Sequence, residues 1–164
     1  KHSLHQYLSV KCANKNVTLN WFRIFYVYGS GQREESLIPT LIKSIGANET
    51  PQINTPRNKN DFIYVEDVAK AFNKAIDVDL ESGVYNLGSR YSASVYDICR
   101  MVEKHLLGTK TISKKVLENG EKDETVNFWA DMTKTKKALN ILGVTQLKKG
   151  IELCIQSMQT AVPT

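Results

Sequence analysis

Cysteine, proline and glycine are all scarce in this chain of 164 residues, at three, four and nine positions. So little glycine and proline excludes a collagen-like chain or a mucin-like stalk. Cys12, Cys99 and Cys154 sit far apart. An odd, widely spaced set builds neither a disulfide framework nor a zinc knuckle, and reads as free thiols in a reducing cytoplasm. Histidine is equally sparse. His2 and His5 share a helix face and His105 stands alone, with no cysteine or carboxylate near enough to complete a metal site. No metal is therefore expected. No apolar run approaches the roughly 20 residues of a membrane-spanning helix, and no charged-then-apolar leader opens the chain. No membrane partner is expected.

The composition that remains is that of a globular domain, with 41% hydrophobic and 24% charged residues. Lysine and arginine number 22 against 17 acidic residues, a net charge of +5. A mild surplus of this kind favours anionic ligands such as phosphates. The densest basic clusters are Lys110, Lys114 and Lys115, then Lys134, Lys136, Lys137, Lys148 and Lys149. Neither interleaves with aromatics as single-strand binders do, so both read as solvated faces and no nucleic-acid partner is expected.

The spacing of apolar residues predicts a helix over 1–14, from Leu4, Tyr7, Leu8 and Cys12. Val17 to Tyr28 is rich in β-branched and aromatic residues and predicts one buried strand of a parallel sheet, ended by Gly29-Ser30-Gly31. A helix follows over 36–46, with Pro39 early and Gly46 as its stop. A polar loop over 50–60 holds a short extended piece at 52–54. Strands are predicted over 62–65, 83–87 and 111–116. Helices are predicted over 66–77, over a segment capped by Ser94 and ended by Gly108, near 133–141 and over 147–159. Strands and helices alternate, which predicts an α/β fold.

Five stretches, in order, resemble the extended short-chain dehydrogenase/reductase family, the NAD-dependent epimerases and dehydratases of nucleotide sugars. Trp21 to Gly29 resembles its "LRxxNVYGP", and Ser36-Leu37-Ile38-Pro39 its "LIP". Asp61 to Ala69 resembles "RDFIYVDDVA", and Gly83 to Gly88 "GVYNVG". Ala130-Asp131, Lys136 and Leu142-Gly143 resemble "ADxSKAxxxLG". The resemblance implies the end of a Rossmann-type doubly wound sheet over 1–34. It implies a small mixed α/β substrate-binding domain over 35–164, with some segments returning to the sheet.

Aligned this way, Lys1 falls on the lysine of the family's catalytic Tyr-x-x-x-Lys. Its tyrosine and the glycine-rich dinucleotide fingerprint would lie upstream, so the expectation is the C-terminal half of a longer enzyme, inactive by itself. Inside the chain, Gly29-Ser30-Gly31 has no third glycine and reads as a turn. In the family the lysine favours tyrosinate by charge proximity and bonds the nicotinamide ribose. The resemblance thus implies NAD or NADP as cofactor, with Lys1 catalytic and Lys1 and Phe25 cofactor-binding.

The same resemblance implies a nucleotide-diphosphate sugar as substrate, held by Tyr26, Gln32, Arg33, Leu37, Gln52, Ile53, Asn54, Arg57, Asn60 and Arg90. The sequence departs from the family at three phosphate partners. Tyr26 replaces an asparagine, Asn60 an arginine, and Glu121 and Glu124 fall on the late Arg-x-x-Asp clamp. A diphosphate still needs donors of fixed geometry. Arg33, Arg57 and Arg90 are the arginines available, with Lys59 and Lys122 second, and Gln32-Arg33 is preferred. The altered grip points to a deoxysugar enzyme, acting for example on a 4-keto-6-deoxysugar. Asp67 reads as a helix-start residue, and Tyr64 and Tyr96 as packing. A homodimer through the helix over 1–14 is implied by resemblance only. The alternative reading is a stand-alone, non-catalytic module that binds a nucleotide or a protein.

Overall fold

A computed structural model describes residues 1–123, 126–141 and 143–160. Glu124 and Leu142, named in the motifs above, lie outside the described residues. The chain opens with α1 (His2–Ala13), β1 (Asn20–Ile24), β2 (Tyr26–Tyr28) and α2 (Leu37–Gly46). Then come β3 (Lys59–Tyr64), α3 (Val65–Asp77), β4 (Gly83–Leu87) and β5 (Ser92–Ser94). The helices α4 (Val95–Leu106), α5 (Thr111–Asn119), α6 (Thr133–Leu139) and α7 (Leu147–Thr160) follow. The fold is α/β with parallel pairing, of Rossmann type.

The stretch read as one strand is two. β1 pairs parallel with β4, Asn20 opposite Gly83 through Ile24 opposite Leu87. β2 pairs parallel with β3, Tyr26 opposite Phe62. Phe25 lies between them, its N–H donating to the Leu87 carbonyl at 2.9 Å. The chain therefore changes sheets at Phe25. Nor is the stretch buried on both faces, for Arg23, Ile24, Tyr26 and Val27 are exposed. β5, which the sequence pattern did not show, pairs antiparallel with β3.

β3 is the wall between two cores, because successive side chains of a strand face opposite ways. Phe62 and Tyr64 join Tyr28, Ile38, Leu41, Ile98, Val102 and Ile155 on one side. Ile63 joins Val68, Tyr85, Leu87, Met132 and Leu139 on the other. Gly150 lets α7 approach that wall closely, since a Cβ there would collide with the Tyr28 ring.

Helix ends follow local chemistry. Ser94 caps α4 as expected: its Oγ accepts from Asp97 N at 3.0 Å, and Asp97 Oδ2 accepts from Ser94 N at 3.2 Å. This is a reciprocal capping box. Gly108, two residues past α4, takes a left-handed φ of 69°. Beyond α2 the left-handed residue is Asn48, at φ 59°, while Gly46 still belongs to the helix. Glu66 and Asp67 occupy the first turn of α3, and Asp67 Oδ2 accepts from Thr145 N at 2.6 Å.

A further expectation fails. Residues 111–116 are helix rather than strand, because the buried Glu103 carboxylate accepts from Ile112 N at 2.9 Å and Ser113 N at 2.8 Å. A carboxylate at those first N–H groups starts a helix that β-branched composition disfavours. Residues 52–54 lie in a loop, as expected.

In α1 the periodicity is real, but Leu4 and Tyr7 stand 53% and 58% exposed. Only half-buried His5, Leu8 and Cys12 turn inward, with the His5 ring 4.8 Å from that of Trp21. Burial pushes the Cys99 thiol up to about 12, assisted by the Glu103 charge, and pushes Cys154 up to about 11. A thiol reagent at pH 8 should therefore label Cys12 within minutes and leave Cys99 and Cys154 unmodified until the chain is unfolded. Mass spectrometry of the labelled peptides checks this, and rapid labelling of Cys99 would count against the packed α4.

Candidate functional site

The change of sheets at Phe25 and the turn after β2 shape the surface where the candidate residues meet. A cleft of about 310 Å³ opens beside β2, lined by Tyr26, Gln32, Ser36, Leu37, Asn60 and Phe62 among others. Tyr26, Gln32, Leu37 and Asn60 were each expected at the substrate, and the fold brings them together. They come from four places: β2, the glycine turn, the start of α2 and β3. Gly31 holds the turn with a φ of 78°, a conformation that glycine adopts without strain.

Gln32 carries the unusual feature of this cleft. Its Nε2 donates to the Val27 carbonyl at 3.4 Å, while its Oε1 is buried and has no hydrogen-bond partner among the described residues. A buried acceptor left unpaired costs about 1–3 kcal/mol. Gln32 also lines a second hollow of about 340 Å³, bounded by Gly29, Pro39, Lys43 and Cys154. Gln32 thus borders two hollows and carries an amide oxygen that lacks a donor.

On its other side Tyr26 borders a shallow hollow of about 480 Å³ with Arg23, Ile24, Phe25 and Phe128. The Phe128 ring lies 5.9 Å from that of Phe25 and 6.3 Å from that of Tyr26, and Tyr26 lies 5.8 Å from Phe62. Phe25, expected at the cofactor, therefore adjoins the cleft beside β2 through Tyr26. Phe128 was missed by sequence reasoning. It lies in a stretch with no periodicity, and the exposed aromatic pair Phe128-Trp129 was its only signal.

The remaining candidates do not converge on the cleft. Arg57 donates through Nη1 to the carbonyls of Glu121 at 2.7 Å and Leu117 at 3.3 Å, so it fastens the loop before β3 to the end of α5. Ile53 packs against the first core, and the Asn54 carbonyl accepts from Glu121 N. Gln52 and Arg33 are exposed and border no hollow described here. Arg90 is exposed on a left-handed turn at φ 75°, and Thr133 hydrogen bonds, with a smaller contribution from Arg90, hold the Asp131 carboxyl below its ordinary range. Lys1 is exposed at the head of α1.

A dinucleotide needs a phosphate cradle as well as a site for its reactive ring. Gly29 to Gly31 leads into a turn, with Gln32 N donating to the Gly29 carbonyl at 3.4 Å, and α2 starts only at Leu37. Among the described residues the glycine turn therefore forms no such cradle.

A parallel α/β core with a cleft beside the strand-to-turn junction is the architecture of Rossmann-type α/β proteins. Residues 1–88 match the family model described as the NAD dependent epimerase/dehydratase family, and the chain belongs to that family. Among curated proteins, it is 25% identical over 162 residues to dTDP-4-dehydro-6-deoxyglucose reductase of Escherichia coli, covering 94% of this chain and 48% of the relative. It is 28% identical over 93 residues to CDP-abequose synthase of Salmonella muenchen, covering 56% of this chain and 32% of the relative.

The matches cover between about a fifth and a half of the length of the curated relatives. Among solved structures, UDP-glucose 4-epimerase of Thermotoga maritima, crystallised with UDP-glucose, superposes with a TM-score of 0.81 at 20% identity. The match covers 99% of this chain and 53% of that one. UDP-glucuronic acid 4-epimerase of Bacillus cereus, with UDP-glucuronic acid and NAD, gives 0.74 at 23% identity, covering 94% and 49%. These similarities establish the fold.

Proposed function

We propose that the chain supplies the substrate-binding part of an NAD(P)-dependent enzyme acting on a nucleotide-diphosphate sugar, with a 4-keto-6-deoxysugar the favoured substrate. The observation that carries this reading is the buried, unpartnered Gln32 Oε1 in a cleft shared with Tyr26, Leu37 and Asn60. Sugar hydroxyls and pyrimidine N–H groups are donors of the kind this oxygen requires. The two bacterial relatives whose names specify dTDP- and CDP-linked deoxysugar chemistry support the substrate class. The replacement of the family's asparagine by Tyr26 and of its arginine by Asn60 agrees with it.

In this reading Arg33, next to Gln32, meets the diphosphate, and Arg90 meets the sugar from the turn after β4. Gln52, Ile53 and Asn54 form the nucleoside end. Lys1 and Phe25 face the cofactor, whose nicotinamide accepts or returns a hydride when bound. Arg57, committed to two backbone carbonyls, holds the loop that presents Asn60.

Calorimetric titration of the full-length protein with UDP-, dTDP- and CDP-linked sugars tests the proposal. Gln32→Ala should weaken binding of the preferred nucleotide sugar about tenfold, the loss of one well-placed hydrogen bond. Arg57→Gln should lower the melting temperature and leave the affinity nearly unchanged. Tightest binding of UDP-glucose or UDP-galactose would overturn the deoxysugar reading. An unchanged affinity in the Gln32 variant would remove Gln32 from the site.

A further inference from the structure

A separate hollow of about 590 Å³ lies where α4, α7 and the start of α5 meet. Four cationic side chains line it. Arg100 and Lys104 come from α4, Lys110 from the residue before α5, and Lys148 from the first turn of α7. The one lining carboxylate, Glu152, also lies 3.9 Å from Lys149 outside the hollow. Arg100 is partly engaged by Asp97 at 3.8 Å. Lys104, Lys110 and Lys148 form no ion pair among the described residues. With His105 neutral, the lining side chains carry a net charge of +3.

Helix polarity adds to this field. The first turn of α7 contains Lys148 and Lys149 and no acid, so two ammonium groups stand at the positive end of a helix. That placement is unfavourable for an empty site and favourable for one that holds an anion. The cations also continue past Lys110 to Lys114 and Lys115 on α5, around a neighbouring hollow of about 360 Å³. Met101 and the buried Ile151 give the main hollow an apolar floor. The volume is that of a small-molecule site. None of these residues lines the Gln32 cleft.

We propose that the α4–α7 hollow is a second anion site, for a small molecule that carries two or more phosphates. Three uncommitted lysines converging from three elements match a ligand with several negative oxygens, and the apolar floor suits the organic part of an organic phosphate. Occupancy neutralises the lysines at the head of α7, the helix that packs Ile151 and Ile155 into the first core.

Pyrophosphate titrated into the full chain by calorimetry in low salt is the direct test. Saturable one-to-one binding is expected, weakened at least tenfold in the Lys104→Gln, Lys148→Gln double variant and weakened by added salt. Inorganic phosphate should bind more weakly than pyrophosphate. Gln32→Ala, in the other cleft, should leave pyrophosphate binding unchanged. Both lysines are exposed, and a urea midpoint like that of the parent protein confirms that the double variant is folded. The proposal is overturned by the absence of saturable binding, or by a double variant that binds like the parent. It is equally overturned if a single-stranded oligonucleotide binds where pyrophosphate does not.

Discussion

Asp61→Ala should destabilise the protein by about 3–5 kcal/mol, the range for stranding partners of a buried charge. Asp61 is fully buried on β3, in a stretch whose neighbours are aromatic and aliphatic. Oδ1 accepts from the N–H and the Oγ of Ser89, both at 2.6 Å. Oδ2 accepts from Arg90 N at 3.0 Å and Ala130 N at 2.9 Å. One carboxylate thereby ties β3 to the turn after β4 and to the segment leading into α6. The contact is so close that a Cβ on Gly88 would meet both Asp61 Oδ2 and Ala130.

Alanine leaves three backbone N–H groups without their acceptor, and the Ser89 hydroxyl keeps only the Tyr91 carbonyl at 3.0 Å. Asparagine keeps one acceptor oxygen but turns an NH2 toward N–H donors, so Asp61→Asn should lose about half as much. Urea unfolding followed by circular dichroism measures both. A loss below about 1 kcal/mol for the alanine variant would mean that water replaces the carboxylate, contrary to its burial. A shift of the Arg90 turn should accompany the loss, because the left-handed Arg90 backbone is held through its own N–H.

The sequence made most elements legible where burial is one-sided. α3 and α4 each set an apolar stripe against a polar face, and the reciprocal Ser94 and Asp97 bonds announce the start of α4. The family resemblance gave the fold class and pointed to Tyr26, Gln32, Leu37 and Asn60, which line the cleft. What was hidden depends on partners distant in sequence. The break at Phe25 is invisible because Trp21 to Tyr28 stays aromatic and aliphatic on both sides of it apart from Arg23, and only pairing with β4 and then β3 divides it.

The helix at 111–119 depends on Glu103, and Asp61 finds its donors 28, 29 and 69 residues away. Arg57 shows the same limit from the opposite side. By residue type it is a phosphate ligand, and by geometry it serves backbone carbonyls. The orphaned Gln32 oxygen follows from the turn that buries it and could not be read from the residue's identity.

Glu103 provides the second large effect and a pH signature of its own. Burial alone would raise its carboxyl. Hydrogen bonds from Ser113, Thr109 and Ile112 outweigh that and hold it at about 2, against an ordinary value of 4.5. The gap corresponds to about 3 kcal/mol of stability. Because the folded value lies below the unfolded one, the contribution is fully present above about pH 4.5. It is lost as the pH falls through the folded value near 2.

Glu103→Gln should therefore be less stable than the parent by about 3 kcal/mol at pH 7. The two stability curves should converge toward pH 2, where the parent carboxyl is itself protonated. Glutamine can still accept one of the two N–H bonds, so α5 should remain helical, loosened at Ile112 and Ser113. Urea midpoints collected from pH 2 to pH 7 on both proteins read the effect directly. A constant gap across that range would assign the loss to packing. A gap that opens with rising pH assigns it to the charge that begins α5.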